Sequence, residues 1–323
     1  MSRQIVIGAG LLIALVVFPL LSPWSTVILT VALCEGLAAL GILVLLRAGQ
    51  VSFGHGLYFA FSAYVVAFMA TARFGHEVLL LVPIATAASG LLAALIGLFI
   101  VRYRAIFFGM LNLAISMVFF SLLEKLFSIT GGADGKRVPR PTLAGMTLER
   151  ESFEFWMFYI TLALCVVAAL FVARYLLSPG GKALEAIKSN ETRLEYLGVS
   201  SRKVLFGAYL LSGLLAGLGG AIIALVSGHV TPELAYWVRS GEFVFIAILG
   251  GAGGVAGPFL GALMFQIIRG YAAVYAPETW HAVLGVMLLI IIFFAPTGLY
   301  GLIAGKKRAA KPPAAVERAG AGQ

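Results

Sequence analysis

The chain has 323 residues, of which 61% are hydrophobic and only 11% are charged, and its formal net charge is +9. Soluble domains carry about 25% charged residues, so this composition, with a mean hydropathy of +1.02, excludes an ordinary water-soluble fold. The basic residues are dispersed at the ends of apolar runs and form no basic, aromatic-interleaved face, which excludes a nucleic-acid-binding protein.

Ten apolar segments approach the length of about 20 residues that a helix needs to cross the hydrocarbon core. They cover about 5–22, 25–46, 53–72, 78–100, 105–127, 154–177, 204–227, 240–253, 255–276 and 281–304. The third is polar at its start and the eighth is short and rich in glycine, so we expect eight to ten crossings. The sequence predicts an all-α polytopic transmembrane helical bundle over residues 1–305, followed by a disordered cytoplasmic tail over 306–323.

The basic residues also predict the orientation, because Lys and Arg concentrate in cytoplasmic segments. With both termini in the cytoplasm, most of the 23 Lys and Arg residues lie on the inner side, and Arg239 and Arg269 are among the few on the outer side. The first span shows no cleavage site of the Ala-x-Ala kind, so we expect it to be retained rather than removed as a signal peptide.

Charged side chains inside spans are rare and mark either a functional site or a buried pair. Glu35 lies in the middle of the second span, and Glu242 lies near the start of the eighth. Either they pair within the bundle or they line a route through it. Asn112 and Gln266 are expected to donate interhelical hydrogen bonds.

A polar patch interrupts the apolar sequence at RAGQVSFGHGLYFAFSAY, residues 47–64. Gln50, Ser52, Gly54 and His55 would be costly in lipid, because unpaired polar groups there cost several kcal/mol each, roughly. Non-helical backbone at membrane depth survives where it is buried in protein or lines a wet cavity. The patch therefore predicts either a broken helix beside a translocation path or gate, or a tight turn whose glycines allow close helix packing.

Two hydrophilic segments are long. The outer one, about 128–153, contains TGGADG, in which Asp134 lies between glycines as in an ordinary turn. The inner one, about 178–203, has apolar residues at helical spacing and predicts an amphipathic helix, or two short helices joined near Ser189-Asn190, that ends at Gly198. Such a helix either lies on the membrane surface or docks a cytosolic partner.

Small residues recur later in the chain. SGLLAGLGGA, residues 212–221, suits close helix packing, within this chain or against a partner. The second glycine cluster, 250–258, faintly repeats the pattern of 49–54, as expected if the chain contains an inverted internal repeat. With such a repeat, Gly253 and Gly254 would belong to the same path or gate as the first cluster.

The chain has no nucleotide site of its own. A phosphate-binding loop needs G-x4-G-K-[ST] after a strand, and Gly135-Lys136 and Gly181-Lys182 lack the remaining residues. No metal-binding or catalytic pattern occurs, and the lone cysteines Cys34 and Cys165 indicate neither a metal nor a redox site. We therefore expect no catalytic residue, no metal and no cofactor in this chain.

Several of these motifs carry a resemblance. GQVSFGHG, TGGADG, the segment 180–258 and FFAPTGLYGL (293–302) together resemble the permease subunits of branched-chain amino acid ABC importers, in the family's order over about residues 25–304. The chain is most similar to the second of the two paired permease types, the one with GQVSxGH and TGGxDG.

The resemblance implies a set of partners: a homologous permease, two cytosolic ATP-binding subunits that hold ATP and Mg, and a periplasmic solute-binding protein. It implies a multi-pass protein in the lipid bilayer of the bacterial inner membrane. It also implies that the outer TGGADG, with Gly131, Gly132 and Asp134, lies near an outer gate or the docking face of the binding protein.

The same resemblance implies that the inner helix couples the bundle to the ATPase through Glu185, Ala186, Asn190, Glu191 and Gly198. The segment departs from the EAA-x3-G loop of other ABC importers, since Ile187 follows Glu185-Ala186 and the glycine is displaced to Gly198.

Two alternatives remain open on the sequence. The same class of permease can carry urea or amides. An ion-coupled secondary transporter would instead need an essential intramembrane carboxylate, Glu35 or Glu242.

Overall fold

The computed structural model describes residues 25–72, 77–275 and 298–304, with shorter pieces at 10, 15–18, 278–279, 282, 285–286, 289–290 and 293. The predicted tail 306–323 lies outside the described residues. The predicted first and last spans, 5–22 and 281–304, are described only in the pieces given above.

The described chain is almost entirely helical. Its helices are α1 Thr26–Arg47, α2 His55–Thr71, α3 Val78–Ile100, α4 Ala105–Lys125, α5 Phe127–Thr130, α6 Arg150–Leu177, α7 Pro179–Tyr196, α8 Ser201–Ser227, α9 Trp237–Gly250, α10 Gly257–Tyr275 and α11 Gly298–Ala304. Single 3-10 turns cover Gly132–Asp134 and Pro232–Ala235. Strand β1, Lys136–Arg137, pairs antiparallel with β2, His229–Val230.

Six of the described helices are long and apolar enough to cross a membrane, namely α1, α3, α4, α6, α8 and α10. Helices α2 and α9 have 17 and 14 residues and correspond to the third and eighth predicted spans. The all-α polytopic class is therefore confirmed. The number of complete crossings and the orientation remain predictions.

Helix α8 is central and packs extensively against α1, α2 and α3. Its small residues make this possible. A Cβ atom added at Gly219 would meet the carbonyl oxygen of Cys34 in α1, and one at Gly220 would meet the backbone of Phe59 in α2. The predicted close packing of 212–221 is thus confirmed within this chain.

The bundle has two recognisable ends. The α7 end carries α7, the C-terminus of α1 and the N-termini of α4 and α8. The sheet end carries β1, β2 and the C-termini of α2, α4 and α8. Leu184, Ile187 and Leu194 are buried on the bundle side of α7, so α7 lies against the bundle as an amphipathic helix.

The two ends allow a test of orientation that needs no cysteine-free background, because Cys34 and Cys165 are both buried. In intact cells, Thr147→Cys at the sheet end is expected to react with an impermeant maleimide. Ser200→Cys at the α7 end is expected to react only after the membrane is opened. The reverse labelling pattern would show that the N-in, C-in orientation is wrong.

Candidate functional site

Helix α7 is two short helices joined at a kink, as the sequence predicted. Asn190 has non-helical backbone angles, φ −164° and ψ 99°, and its Oδ1 accepts a hydrogen bond from the N–H of Arg193 at 3.0 Å. This bond caps the second half, as Asn side chains commonly do at helix N-termini. Gly198, at φ +80°, lies just past the C-terminus of α7, where glycine adopts a left-handed conformation easily.

The tip of α7 exposes large apolar side chains. Tyr196 is 88% exposed and Leu197 is 76% exposed. Beside them, at the kink, opens a cavity of about 350 Å³ whose lining is Ala186, Ser189, Asn190, Arg193, Leu194 and Leu197. Exposed apolar residues around a polar-rimmed groove are typical of protein interaction sites.

Two carboxylates of α7, those of Glu185 and Glu191, bind arginines of the same chain. Glu191 accepts from Arg104 Nε at 2.9 Å and from Nη2 at 2.6 Å, and these bonds hold the pKa of Glu191 below its ordinary value. Glu185 lies 3.3 Å from Arg47 Nη1. These partners were not predicted, because nothing in the sequence separates Arg47 and Arg104 from other basic residues at span ends.

The segment 48–54 joins α1 to α2 in a non-helical conformation. Gln50 Oε1 accepts a hydrogen bond from the N–H of Ala105 at 2.8 Å, and Ser52 Oγ accepts one from the N–H of Gly54 at 3.3 Å. The polar segment is therefore a non-helical connection between the second and third predicted spans, and Gln50 and Ser52 form hydrogen bonds within the protein.

His55 begins α2 and is fully buried. Its Nε2 lies 2.5 Å from Ser212 Oγ of α8. One turn on, Tyr58 Oη lies 2.7 Å from Tyr209 Oη, which donates to Asn112 Oδ1 at 2.5 Å. These contacts favour the packing interpretation of the polar patch; its role in a translocation path or gate is still a prediction.

Asn112 does join two helices, although it accepts the interhelical bond from Tyr209 and its own amide donates to Phe108 O within α4. Gln266 donates between helices as predicted, from Nε2 to Glu35 Oε2 at 2.7 Å.

A second non-helical segment, 228–236, leads into α9 and meets the start of α2. The N–H of Gly56 donates to Ser240 Oγ at 2.8 Å, and a Cβ at Gly56 would lie 3.0 Å from the carbonyl oxygen of Leu234. The starts of α2 and α9 therefore touch inside the bundle. The predicted spans 204–227 and 240–253 left this segment outside any helix, as Thr231-Pro232 beyond Gly228 indicates, but its contact with α2 was not predicted.

The second glycine cluster, residues 250–258, connects α9 to α10. Residues 251–256 form the turn between α9 and α10. The ring of Tyr300 packs on this turn, so that a Cβ at Gly254 would collide with it and one at Gly253 would lie 3.1 Å from it. The internal repeat, and the assignment of Gly253 and Gly254 to a path or gate, remain predictions.

Glu35 and Glu242 form a buried charge cluster with two arginines. Arg239 Nη2 lies 2.8 Å from Glu35 Oε1, and Arg239 Nη1 lies 2.6 Å from Glu242 Oε2. Arg269 Nη1 lies 3.6 Å and 3.9 Å from the same two oxygens. Two acids and two bases balance, which allows the acids to stay charged in the bundle.

Glu35 and Glu242 thus pair within the bundle, and their assignment to a translocation path or gate remains a prediction. Arg239 and Arg269 were counted among the outer-side charges, and the cluster corrects this interpretation, because both pair with Glu35 and Glu242. No local sequence pattern indicates this pairing, since Glu35 and Arg239 are far apart in the sequence. Both carboxylates of the cluster are paired with arginines.

The TGGADG segment turns sharply at the sheet end. Gly131 has φ +83°, and a Cβ there would collide with the carbonyl group of Gly135. Asp134 is exposed. Nearby opens a cavity of about 910 Å³ whose lining includes Arg137, Arg140, Arg150, Glu154 and His229. Apart from Glu154, which pairs with Arg150 at 2.8 Å, these groups give the cavity a basic rim.

Comparisons with known proteins agree with one another. Residues 25–292 match the family described as branched-chain amino acid transport system, permease component. The chain is 26% identical to the high-affinity branched-chain amino acid transport system permease protein LivM of Escherichia coli (strain K12), over 92% of this chain and 75% of that protein.

Two further relatives carry similar names. The permease protein BraD of Pseudomonas aeruginosa is 25% identical over 84% of this chain and 93% of its own length. LivH of Escherichia coli (strain K12) is 24% identical over 44% of this chain and 46% of its own length. No solved structure matches the chain.

Proposed function

Since this chain belongs to the family of permease components of branched-chain amino acid transport systems, we propose that it is the membrane-spanning permease subunit of an ABC importer. It moves branched-chain amino acids into the cytoplasm and is a multi-pass protein of the inner membrane. The observation that carries the proposal is the family match over residues 25–292, and six described helices long enough to cross a membrane agree with it.

A homologous permease is the first partner. Two different relatives of this chain, LivM and LivH of Escherichia coli (strain K12), bear the name of the same high-affinity transport system. This supports a pair of related permeases around one path. The exposed apolar faces of α3 and α4 offer the surface for lipid and for this second subunit.

The ATP-binding subunits dock at the α7 end. The exposed Tyr196 and Leu197 and the cavity at the Asn190 kink support this assignment. The ATPase supplies the ATP and Mg, and this chain receives the motion. Closure of the ATPase pair pulls α7, and the bundle changes from inward-open to outward-open.

The solute-binding protein docks at the sheet end. The basic rim of the 910 Å³ cavity, with Arg137 and Arg140, suits acidic side chains on a partner. The exposed Asp134 and the rigid Gly131–Gly132 turn frame the same surface. Because this end must face the periplasm for such docking, the N-in, C-in orientation belongs to the same proposal.

Reconstitution tests the proposal directly. In liposomes that hold both permeases and the ATPases, leucine-loaded binding protein is expected to stimulate ATP hydrolysis and to drive leucine accumulation. Loading with urea or an amide separates the substrate alternatives. Accumulation of leucine by this chain alone, against its gradient and without ATP, would contradict the proposal.

One variant tests the docking surface. Leu197→Asp is expected to lower the stimulated ATP hydrolysis by about tenfold or more, because a charge enters an apolar interface where single residues carry several kcal/mol, roughly. Its melting temperature should stay unchanged, since Leu197 is exposed. Lys203→Ala, also exposed but on α8, is the control. Full stimulation with Leu197→Asp would place the ATPase elsewhere.

A further inference from the structure

We propose that Arg104 is a positioning residue that fastens α7 to segment 48–54, so that displacement of α7 reaches the start of α2. Four side chains and one backbone N–H make this connection, which we name the cytoplasmic junction: Arg47, Gln50, Arg104, Glu191 and the N–H of Ala105. The transport consequence rests on the function proposed above, whereas the connection itself is testable in the chain alone.

Arg104 is fixed on all sides. Its Nη1 donates to the carbonyl oxygens of Val101 and Tyr103 at 2.5 and 2.9 Å. Its Nε and Nη2 hold Glu191, and Nη2 also lies 3.4 Å from Ser201 Oγ. A guanidinium that is bound through every nitrogen cannot swing, and two parallel bonds to one carboxylate fix direction as well as distance. Arg104 therefore acts as a rigid link between α7 and the start of α4.

Ala105, the next residue, connects Arg104 to segment 48–54. Its N–H donates to Gln50 Oε1 at 2.8 Å, so Arg104, which binds α7, and Ala105, which binds the segment, are adjacent in the chain. Ala105 has φ +51°, a left-handed conformation that costs a non-glycine residue about 1–2 kcal/mol. A strained residue between two such bonds is a sign of a functional joint.

Helix α7 also touches the segment directly. The stem of Lys188 lies over Gly49 of the segment, where a Cβ would come within 3.2 Å of it. Next to the segment, Arg47 at the end of α1 lies 3.3 Å from Glu185. The other end of the segment enters the bundle at His55, which contacts Ser212, and at Gly56, which bonds Ser240. A shift of α7 is thus passed through a short segment to the place where α2, α8 and α9 meet.

Thiol reactivity at Ser52 tests the connection in the purified full-length chain. Ser52 is fully buried in the segment, so Ser52→Cys should alkylate slowly. Adding Glu191→Gln weakens the attachment of α7 to Arg104, and alkylation is expected to become at least about fivefold faster, which is the low end of site-to-site coupling. Arg104→Lys keeps the positive charge but cannot form the two parallel hydrogen bonds to Glu191, so it should also raise the alkylation rate.

The control is Glu124→Gln, an exposed carboxylate at the opposite end of the same helix that holds Arg104 at its start. It should leave the alkylation rate unchanged. The double change Arg104→Glu with Glu191→Arg should bring the rate back toward that of Ser52→Cys alone. Equal rates with and without Glu191→Gln would overturn the proposal.

The second readout is the number of leucine molecules accumulated per ATP in the reconstituted importer. Glu191→Gln is expected to lower this ratio at least about fivefold while stimulated hydrolysis persists. A proportional fall of both rates would overturn the proposal, because Arg104 would then only shape the docking surface. If the unmodified assembly neither hydrolyses more ATP with leucine nor accumulates it, the proposed function is wrong. The alkylation rate of Ser52→Cys then tests the cytoplasmic junction by itself.

Discussion

Replacing Arg239 with methionine is expected to lower the amount of this protein in the membrane at least about fivefold. Arg239 lies within 2.8 Å of both Glu35 and Glu242, and Glu35 has no exposed surface. Removing one partner of a buried ion pair costs about 3–5 kcal/mol, because the remaining charge keeps its desolvation cost. Quantitative blotting of membranes and the melting temperature of the extracted protein measure the effect.

A second change separates charge balance from packing. Adding Glu35→Gln to Arg239→Met leaves Glu242 with Arg269, one acid and one base, and should restore most of the lost protein. Arg150→Met is the control, since Arg150 pairs with Glu154 at the surface, where such pairs contribute about 0–1 kcal/mol. If Arg239→Met accumulates like the unmodified chain, the four charges do not stabilise the bundle.

Gly220→Ala is expected to destabilise the protein by about 3 kcal/mol or more, the upper range for overpacking. The new Cβ would lie 2.7–2.8 Å from the carbonyl carbon and Cα of Phe59. These are backbone atoms of α2 and cannot turn aside. We expect a melting temperature lower by on the order of 5–10 °C, measured on the extracted protein.

Two comparisons make this result specific. Gly207 lies in the same helix with nothing near the position of a Cβ, so Gly207→Ala should be neutral or stabilising by up to about 1 kcal/mol. Gly213→Ala collides instead with the Cβ of Ala93 in α3. Adding Ala93→Gly moves one methyl group across the contact and should recover much of the loss. Equal melting of Gly220→Ala and Gly207→Ala would contradict the described packing of α8 on α2.

Local patterns explain what the sequence could predict. Among the described residues, each long apolar run is a helix within a few residues of its expected bounds: the run at 204–227 is Ser201–Ser227, and that at 255–276 is Gly257–Tyr275. The kink at Asn190 and the end near Gly198 were also predictable, because both depend on neighbouring residues.

Long-range pairing explains what the sequence could not predict. A buried Glu35 requires a positive partner, but nothing local selects Arg239 and Arg269 for that role over the other basic residues. The sequence around Glu185 and Glu191 predicts only exposed charges on an amphipathic helix. Their bonds to Arg47 and Arg104 depend on how α7 packs against the bundle, which no local pattern indicates. The functional roles of these residues remain predictions that the experiments above test.

The position of α8 between three helices also restricts how the chain can change during evolution. Gly213, Gly217, Gly219 and Gly220 face α3, α1 and α2 in a fixed rotational order. Inserting or deleting one residue among them would rotate everything beyond it by about 100° around the helix axis, and side chains would then face helices that have room only for hydrogen. Homologous lineages can therefore exchange residue types along this helix more readily than they can alter its length between Gly213 and Gly220.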